Sequence, residues 1–313
     1  MNLYTQKDSN IRKTWFLLTG FFLFIMAFGW LISYVWQAPE ILYIAVFLSI
    51  GMNLVAYWKS DSIALAMSRA RAISREGNEY VYRMIENLAI TAGLPAPRIY
   101  LIDSPQINAF ATGRDPKHAA VAITTGAIQK LQNEELEGVL AHELSHIGNR
   151  DILVSTVVVV MAGLISILSD IILRATFHGS FGGDRDNRGG GGGIVLLVGL
   201  LAAILAPIAA TIIQLAVSRK REFLADASGA LLTRYPDGLA NALEKIGHDE
   251  IPMRFAHNGT AHLFIANPFK ADVGRVGSPT EASGGQKTSW FIRIFSTHPP
   301  LEERIKILRG MRV

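Results

Sequence analysis

Long apolar blocks alternate along the chain with polar stretches that carry helical or strand periodicity. The first block, Thr14 to Trp36, contains no charged residue and is long enough to cross the ~30 Å hydrocarbon core of a bilayer as a helix. Trp15 at one end and Tyr34 with Trp36 at the other form the aromatic belt expected at the two interfaces. A cleaved secretory signal is disfavoured, because the run is too long and no A-x-A-like cleavage site follows it. A short turn, Gln37-Ala38-Pro39-Glu40, leads to a second block, Ile41 to Trp58, so the two form a tight helical hairpin. A third block runs from Ile152 to Leu173, with Asp170 near its end, and a fourth from Ile194 to Val217. Pro207 in mid-span is tolerable in a membrane helix. Between them lies a Gly-rich polar loop at 178–193, of a composition that makes flexible linkers. The pattern thus predicts four transmembrane helices. For the second pair, buried core helices or a re-entrant hairpin are the alternatives.

Lys and Arg near the span ends set the orientation. Lys7, Arg12 and Lys13 precede the first span; Lys59, Arg69, Arg71 and Arg75 follow the second; the 37–40 turn has none. Arg219-Lys220-Arg221 follow the fourth. Both termini and both long polar segments are expected on the cytoplasmic side.

Those segments are 59–151 and 218–313. In the first, Glu76 to Thr91 alternates apolar and charged residues at helical spacing, and Gly93-Leu94-Pro95 stops the helix. Arg98–Ile102, Asn108–Thr112 and Ala119–Thr124 read as short strands between Ser-Pro and Gly-Arg-Asp-Pro turns. A helix then opens at Asn133, with Glu134, Glu135 and Glu137 where the helix dipole favours acids. The second segment is mostly helical, apart from a polar stretch at 267–288, and no internal repeat is visible. The expected fold is a mainly α membrane protein with a small β-sheet: four transmembrane helices plus a cytoplasmic zincin-like α+β catalytic domain. Its divisions are a hairpin at 1–58, a first catalytic part at 59–151, a second hairpin at 152–217 and a second catalytic part at 218–313.

Composition narrows the chemistry. Half of the residues, 50%, are apolar and only 18% are charged, with a mean hydropathy of +0.28, whereas a soluble domain carries about 25% charge. There is no Cys, which excludes disulfides, thiolate metal sites and a cysteine nucleophile. The net charge of +4 suits anionic lipid as well as nucleic acid and does not separate them.

The sharpest motif is His142-Glu143-Leu144-Ser145-His146, an H-E-x-x-H match. Residues i and i+4 share one helix face, so both imidazoles can reach one zinc ion at about 2.0–2.1 Å. Glu143, one step round, sits where it can take a proton from the attacking water. Leu136, Leu140 and Ile147 supply the apolar stripe behind the motif. A third protein ligand is needed, and no Cys can supply it. Besides the histidines at 118, 178, 248, 257, 262 and 298, Glu222 stands out in Ser218-Arg219-Lys220-Arg221-Glu222-Phe223-Leu224-Ala225-Asp226. It follows the fourth block as closely as the motif precedes the third, so an antiparallel pair brings the two together. Asp226, one turn on, could accept a bond from an imidazole N–H.

Together with Asn108-Ala109-Phe110-Ala111-Thr112-Gly113 and Ser296-Thr297-His298-Pro299-Pro300-Leu301-Glu302-Glu303-Arg304-Ile305, these motifs resemble the HtpX family of bacterial membrane zinc metalloproteases, relatives of the CAAX prenyl endopeptidases. The resemblance spans nearly the whole chain. It implies that His142, His146 and Glu222 bind one Zn2+ and that Glu143 is the general base. It implies too that His298 steadies the oxyanion, that Arg304 pairs with Asp226, and that Asn108, Ala109 and Phe110 hold an extended substrate.

The function read from the chain is a zinc endopeptidase of the cytoplasmic (inner) membrane, acting in stress-related quality control of misfolded or damaged membrane proteins. The expected partners are polypeptide substrates and the lipid bilayer, with no nucleic acid. Two other readings are weaker. A CAAX-type prenyl endopeptidase encloses a chamber with more spans than four apolar blocks supply. A zinc-stabilised scaffold would fill all four metal positions with protein ligands, and here only three are evident.

Overall fold

A computed structural model of the chain describes residues 3–161, 163, 165, 219–253, 255, 260–269 and 299–312. The N-terminal hairpin consists of α1 (Leu3–Trp36) and α2 (Glu40–Trp58). Within it, Asp8–Leu31 and Glu40–Trp58 are long and apolar enough to cross a membrane, each with a mean hydropathy of 1.9. Gly29 lets the two helices touch: a Cβ there would fall 2.2 Å from the Ala45 Cβ. The outward faces stay uncovered, with Phe16 73% and Phe47 75% exposed, as side chains facing lipid would be. Trp15 stacks near Tyr57 at one end and Trp30 near Tyr34 at the other, which places aromatic rings at both interface levels.

A short α3 (Ser60–Met67) leads into the sheet, formed by β1 (Arg71–Ala72), β2 (Arg98–Ile102), β3 (Ala109–Gly113) and β4 (Ala119–Thr124). The order is β1-β2-β4-β3. β2 and β4 are parallel, from Arg98↔Ala120 to Ile102↔Thr124; β3 returns antiparallel along β4, with Phe110 opposite Ala122. Two strands fall where the pattern predicts and the third shifts by one residue. β1 is an addition, too short for alternation to reveal. β4 is buried along its whole length, sandwiched between α4 (Glu79–Thr91) with α6 (Asn133–Gly148) and the cluster of Leu65, Phe110 and Phe264.

α6 opens one residue earlier than its Asn suggests. Gln132 caps it, its amide donating to Glu135 Oε2 at 2.7 Å, a capping box. The helix ends at Asn149, and Arg150 takes φ +59°, a left-handed conformation that stops a helix. The chain then turns by 84° into α7 (Asp151–Met161). This bend separates the motif helix from the third apolar block. Val154, Val157, Val158 and Met161 of α7 pack on Leu17, Leu18, Phe21 and Ile25 of α1. The rest of that block, the Gly-rich loop and the fourth block lie outside the described residues, so two of the four expected spans stand as helices of sufficient length.

The second catalytic part supplies α8 (Arg219–Thr233), α9 (Pro236–His248) and α10 (Leu301–Arg309). Glycines set how closely these meet α6. A Cβ on Gly138 would lie 2.7 Å from the Leu239 backbone nitrogen, and one on Gly229 3.0 Å from that of His142. The side-chain-free approach brings α8 against the motif itself. Gly138→Ala should force α6 and α9 apart at a cost of about 1–3 kcal/mol, whereas Gly20→Ala, inside α1 with no atom within 4 Å of its Cβ, should leave stability unchanged or raise it by up to about 1 kcal/mol. Denaturant midpoints of the two variants against wild type check this; equal midpoints would contradict the packing.

Candidate metal centre

His142, Glu143 and His146 sit in the last two turns of α6, and Glu222 in the first turn of α8. The Nε2 atoms of the two histidines are 3.2 Å apart. Glu222 reaches toward both, with Oε2 3.8 Å from His142 Nε2 and Oε1 3.7 Å from His146 Nε2. Ligand atoms of the three lie within 4.8 Å of one another. Two donors at about 2.0–2.1 Å from a tetrahedral ion stand about 3.3–3.4 Å apart, so this donor set fits one small divalent ion with little movement.

The other ring nitrogens explain why the Nε2 atoms face each other. His142 Nδ1 lies 2.9 Å from Asp226 Oδ1, and His146 Nδ1 lies 3.2 Å from Asp151 Oδ2. A carboxylate at Nδ1 draws the proton there and leaves the Nε2 lone pair for a metal. Asp226 is in turn clamped by Arg304, whose Nε and Nη2 donate to its two oxygens at 2.8 and 2.7 Å. Arg304, fully buried, also places Nη1 3.9 Å from Glu222 Oε2. The family resemblance implied a pairing of Arg304 with Asp226, and the two side chains stand within hydrogen-bond distance.

Asp151 is a contributor that sequence reasoning missed. Its signal was local: an acid five residues beyond His146, just past a helix stop, is turned back onto the helix it has left. His262 was named only among the remaining histidines. It lines the cavity of about 30 Å³ over the cluster, with Ala111, Glu143, Ile152 and Ser155, room for a water or two. Its Nε2 is 3.2 Å from the Ser155 carbonyl oxygen. Nothing near it in sequence announces that placement.

Burial shapes the charges. Glu143 is raised above the usual carboxylate range, because burial and nearby Glu222 outweigh the histidines and the Ala111 amide that favour its charge. In the metal-free protein burial opposes a charge on His146, yet the hydrogen bond to Asp151 and the carboxylates of Glu222, Asp151 and Glu143 raise it to about 9. An incoming metal must therefore displace a proton. Burial alone would raise Asp226, but the charge and hydrogen bonds of Arg304, with help from His142, hold it down at about 2.

The strand read as a substrate platform is differently occupied. Asn108 is fully buried; its Nδ2 donates to the Ala266 and Gln106 oxygens at 3.0 Å each, and its Oδ1 accepts from Ala266 N. The Ala109 carbonyl accepts from Ile265 N at 3.0 Å, and Phe110 packs edge-on against Phe264 at 4.9 Å. The 260–266 segment thus meets this stretch through one backbone bond at Ala109, the Asn108 side chain and the Phe110 ring. Ala111, beside Glu143, is where β3 meets the cavity. His298 lies outside the described residues.

A base, two imidazoles and a carboxylate converging on one point beside a strand edge suit metal-assisted hydrolysis of an extended chain, and joined to an apolar hairpin they define a metallopeptidase with a membrane anchor. The profile of peptidase family M48 matches residues 75–312. The Protease HtpX homolog of Caldanaerobacter subterraneus subsp. tengcongensis is 44% identical, over 99% of this chain and 98% of its own. The one from Thermoanaerobacter pseudethanolicus is also 44% identical over the same shares, and that of Streptococcus gordonii 38% over 99% and 100%. Among solved structures, the crystal structure of S. mikatae Ste24p aligns at 20% identity over 97% of this chain and 67% of that chain, with a TM-score of 0.49. The chain belongs to peptidase family M48 and, within it, to the HtpX proteases.

The Asp226–Arg304 pair has a pH signature. A carboxyl held at about 2 contributes stability above its unfolded value near 4, and loses that contribution as pH falls toward 2. In urea melts of metal-free protein, wild type should lose stability across this window. Asp226→Asn should flatten the acid limb and cost about 3–5 kcal/mol at pH 7, since Arg304 would be left buried without its partner. A variant as stable as wild type at pH 7 would refute the pairing's energetic role.

Proposed function

We propose that this protease is a zinc endopeptidase of the cytoplasmic membrane, with His142, His146 and Glu222 holding the ion and Glu143 moving the proton. The observation that carries the reading is the 3.2 Å approach of two imidazole nitrogens with Glu222 beside both. Zinc, when bound, supplies a Lewis acid that polarises the scissile carbonyl and acidifies a water. Glu143, buried beside the two imidazoles and lining the cavity over them, is placed to accept a proton from the attacking water and return it to the leaving amine. Asp226 and Asp151 hold the imidazoles by their Nδ1 sides, and Arg304 fixes Asp226. His298 is proposed to donate to the oxyanion. Ala111, on the strand edge next to Glu143, is the point at which a substrate main chain would run past the site.

The substrate class proposed is misfolded or damaged membrane proteins, in quality control under stress. Its support is position: the exposed apolar hairpin packs through α7 onto the motif helix, which keeps the centre close to the lipid surface. The divisions proposed with this reading are 1–58, 59–151, 152–217 and 218–313, the two catalytic parts meeting at α6 and α8.

Metal analysis and casein hydrolysis on two variants test the roles. Glu143→Gln should retain stoichiometric zinc and lose cleavage by at least about a thousandfold, the scale on which a proton-transfer group and charge stabilisation together act. Glu222→Gln should lose zinc itself. Equal, full zinc in both variants would remove Glu222 from the ligands.

Orientation is tested on a chain with no Cys of its own. Glu40→Cys, exposed in the hairpin turn, should react with an impermeant thiol reagent from outside intact spheroplasts. Glu134→Cys, exposed at the start of α6, should react only after the membrane is opened. Labelling of Glu134→Cys from outside would reverse the proposed topology.

A further inference from the structure

Asn10 is fully buried, although it belongs to the polar opening turns of α1, ahead of the apolar run. Its Nδ2 donates to Asp151 Oδ1 at 2.6 Å and to the Asn149 carbonyl oxygen at 3.1 Å. Its Oδ1 accepts from Arg221 Nη1 at 3.4 Å. Asp151 spends its other oxygen on His146 Nδ1, and Arg221, whose Nε lies 3.8 Å from Asp151 Oδ1, immediately precedes Glu222. One amide therefore touches the carboxylate that faces His146 and the guanidinium next in sequence to Glu222. It also ties down the turn at which α6 bends into α7.

This amide is not needed to attach α1. Leu17, Leu18, Phe21 and Ile25 already pack that helix on α7. Nor is Asn10 within the region that the M48 profile matches, which starts at residue 75. We propose that Asn10 is a positioning residue of the metal centre: the N-terminal membrane helix reaches into the catalytic domain and holds Asp151 in the rotamer that orients His146. This rests on reading the centre as a zinc site.

Without the amide, Asp151 Oδ1 loses its 2.6 Å partner, Arg221 Nε stands 3.8 Å away, and a small polar hole opens beside it. Water entering there competes for the carboxylate, which is then free to turn from His146. The imidazole loses the partner that fixes its tautomer and direction, and metal retention falls. The membrane hairpin is on this view a working part of the site, acting on His146 through the Asn10 amide.

The test uses the full chain, purified in detergent and loaded with zinc, and measures the rate of zinc loss to excess chelator together with thermal midpoints. Outer partners of metal-ligating histidines are worth about 10–100-fold in metal affinity, so Asn10→Ala should lose zinc about tenfold faster than wild type. Leu17→Ala, which loosens the same helix by packing alone, should lower the midpoint yet keep the wild-type rate. An Asn10→Ala protein that holds zinc as wild type does overturns the proposal. So does Leu17→Ala losing zinc as fast as Asn10→Ala, because the effect would then be general loosening. If Asn10→Ala fails to fold, Asn10→Ser, with a shorter polar group in the same place, carries the same comparison. A wild-type chain that takes up no zinc overturns the metal-centre reading, and this proposal with it.

Discussion

The burial of charge is the constraint around which the catalytic domain is arranged. Glu143, Glu222, Asp226, Asp151, Arg221 and Arg304 are all nearly or fully withdrawn from solvent, and an isolated ion in such a place would cost several kcal/mol. Each is tolerated because another offsets it. Arg304 binds both oxygens of Asp226, Asp226 faces His142, and Arg221 stands by Asp151, which faces His146. The carboxylates exceed the guanidinium groups in this cluster. The excess negative charge favours a divalent cation at the point where the Nε2 atoms converge.

Backbone geometry makes that cluster possible. Gly229 lets α8 approach the His142 backbone closely enough for Glu222 and Asp226 to straddle the motif. The left-handed Arg150 ends α6 one turn after His146 and turns Asp151 back under it. A helix that ran on would carry Asp151 round and away, since residues five apart do not share a face. The stop therefore does two things at once, freeing an acid for the histidine and redirecting the chain toward the hairpin.

The hairpin and the catalytic domain are bound by different forces. α1 and α2 bury little of their apolar surface within the protein and leave the rest for lipid, while α1 and α7 share an apolar seam. At the domain end of that seam the contact becomes polar, through Asn10, Asn149, Asp151 and Arg221. An apolar seam can slide in small steps, because its attraction has no direction. The hydrogen bonds at its end have direction and set the register.

Much of this protein was determined locally, and local features are what a sequence displays. The apolar runs define α1 and α2, the turn residues on either side bound β2 and β4, and the i, i+4 spacing of His142 and His146 places two imidazoles on one helix face whatever surrounds them. Glu222 and Asp226 were also marked, because they closely follow an apolar block at the start of a helix, and Arg304 only through the motif that carries the family resemblance. The tertiary structure alone decided what fills the outer side of each element. Asn108, Ala109 and Phe110 look free in a strand pattern, yet a segment more than a hundred residues away bonds the Ala109 carbonyl and the Asn108 side chain and packs on the Phe110 ring. Asp151 joins His146 through a bend that no periodicity encodes. Asn10 meets Asp151 across 141 positions, a contact that exists only once an apolar seam has brought two helices side by side.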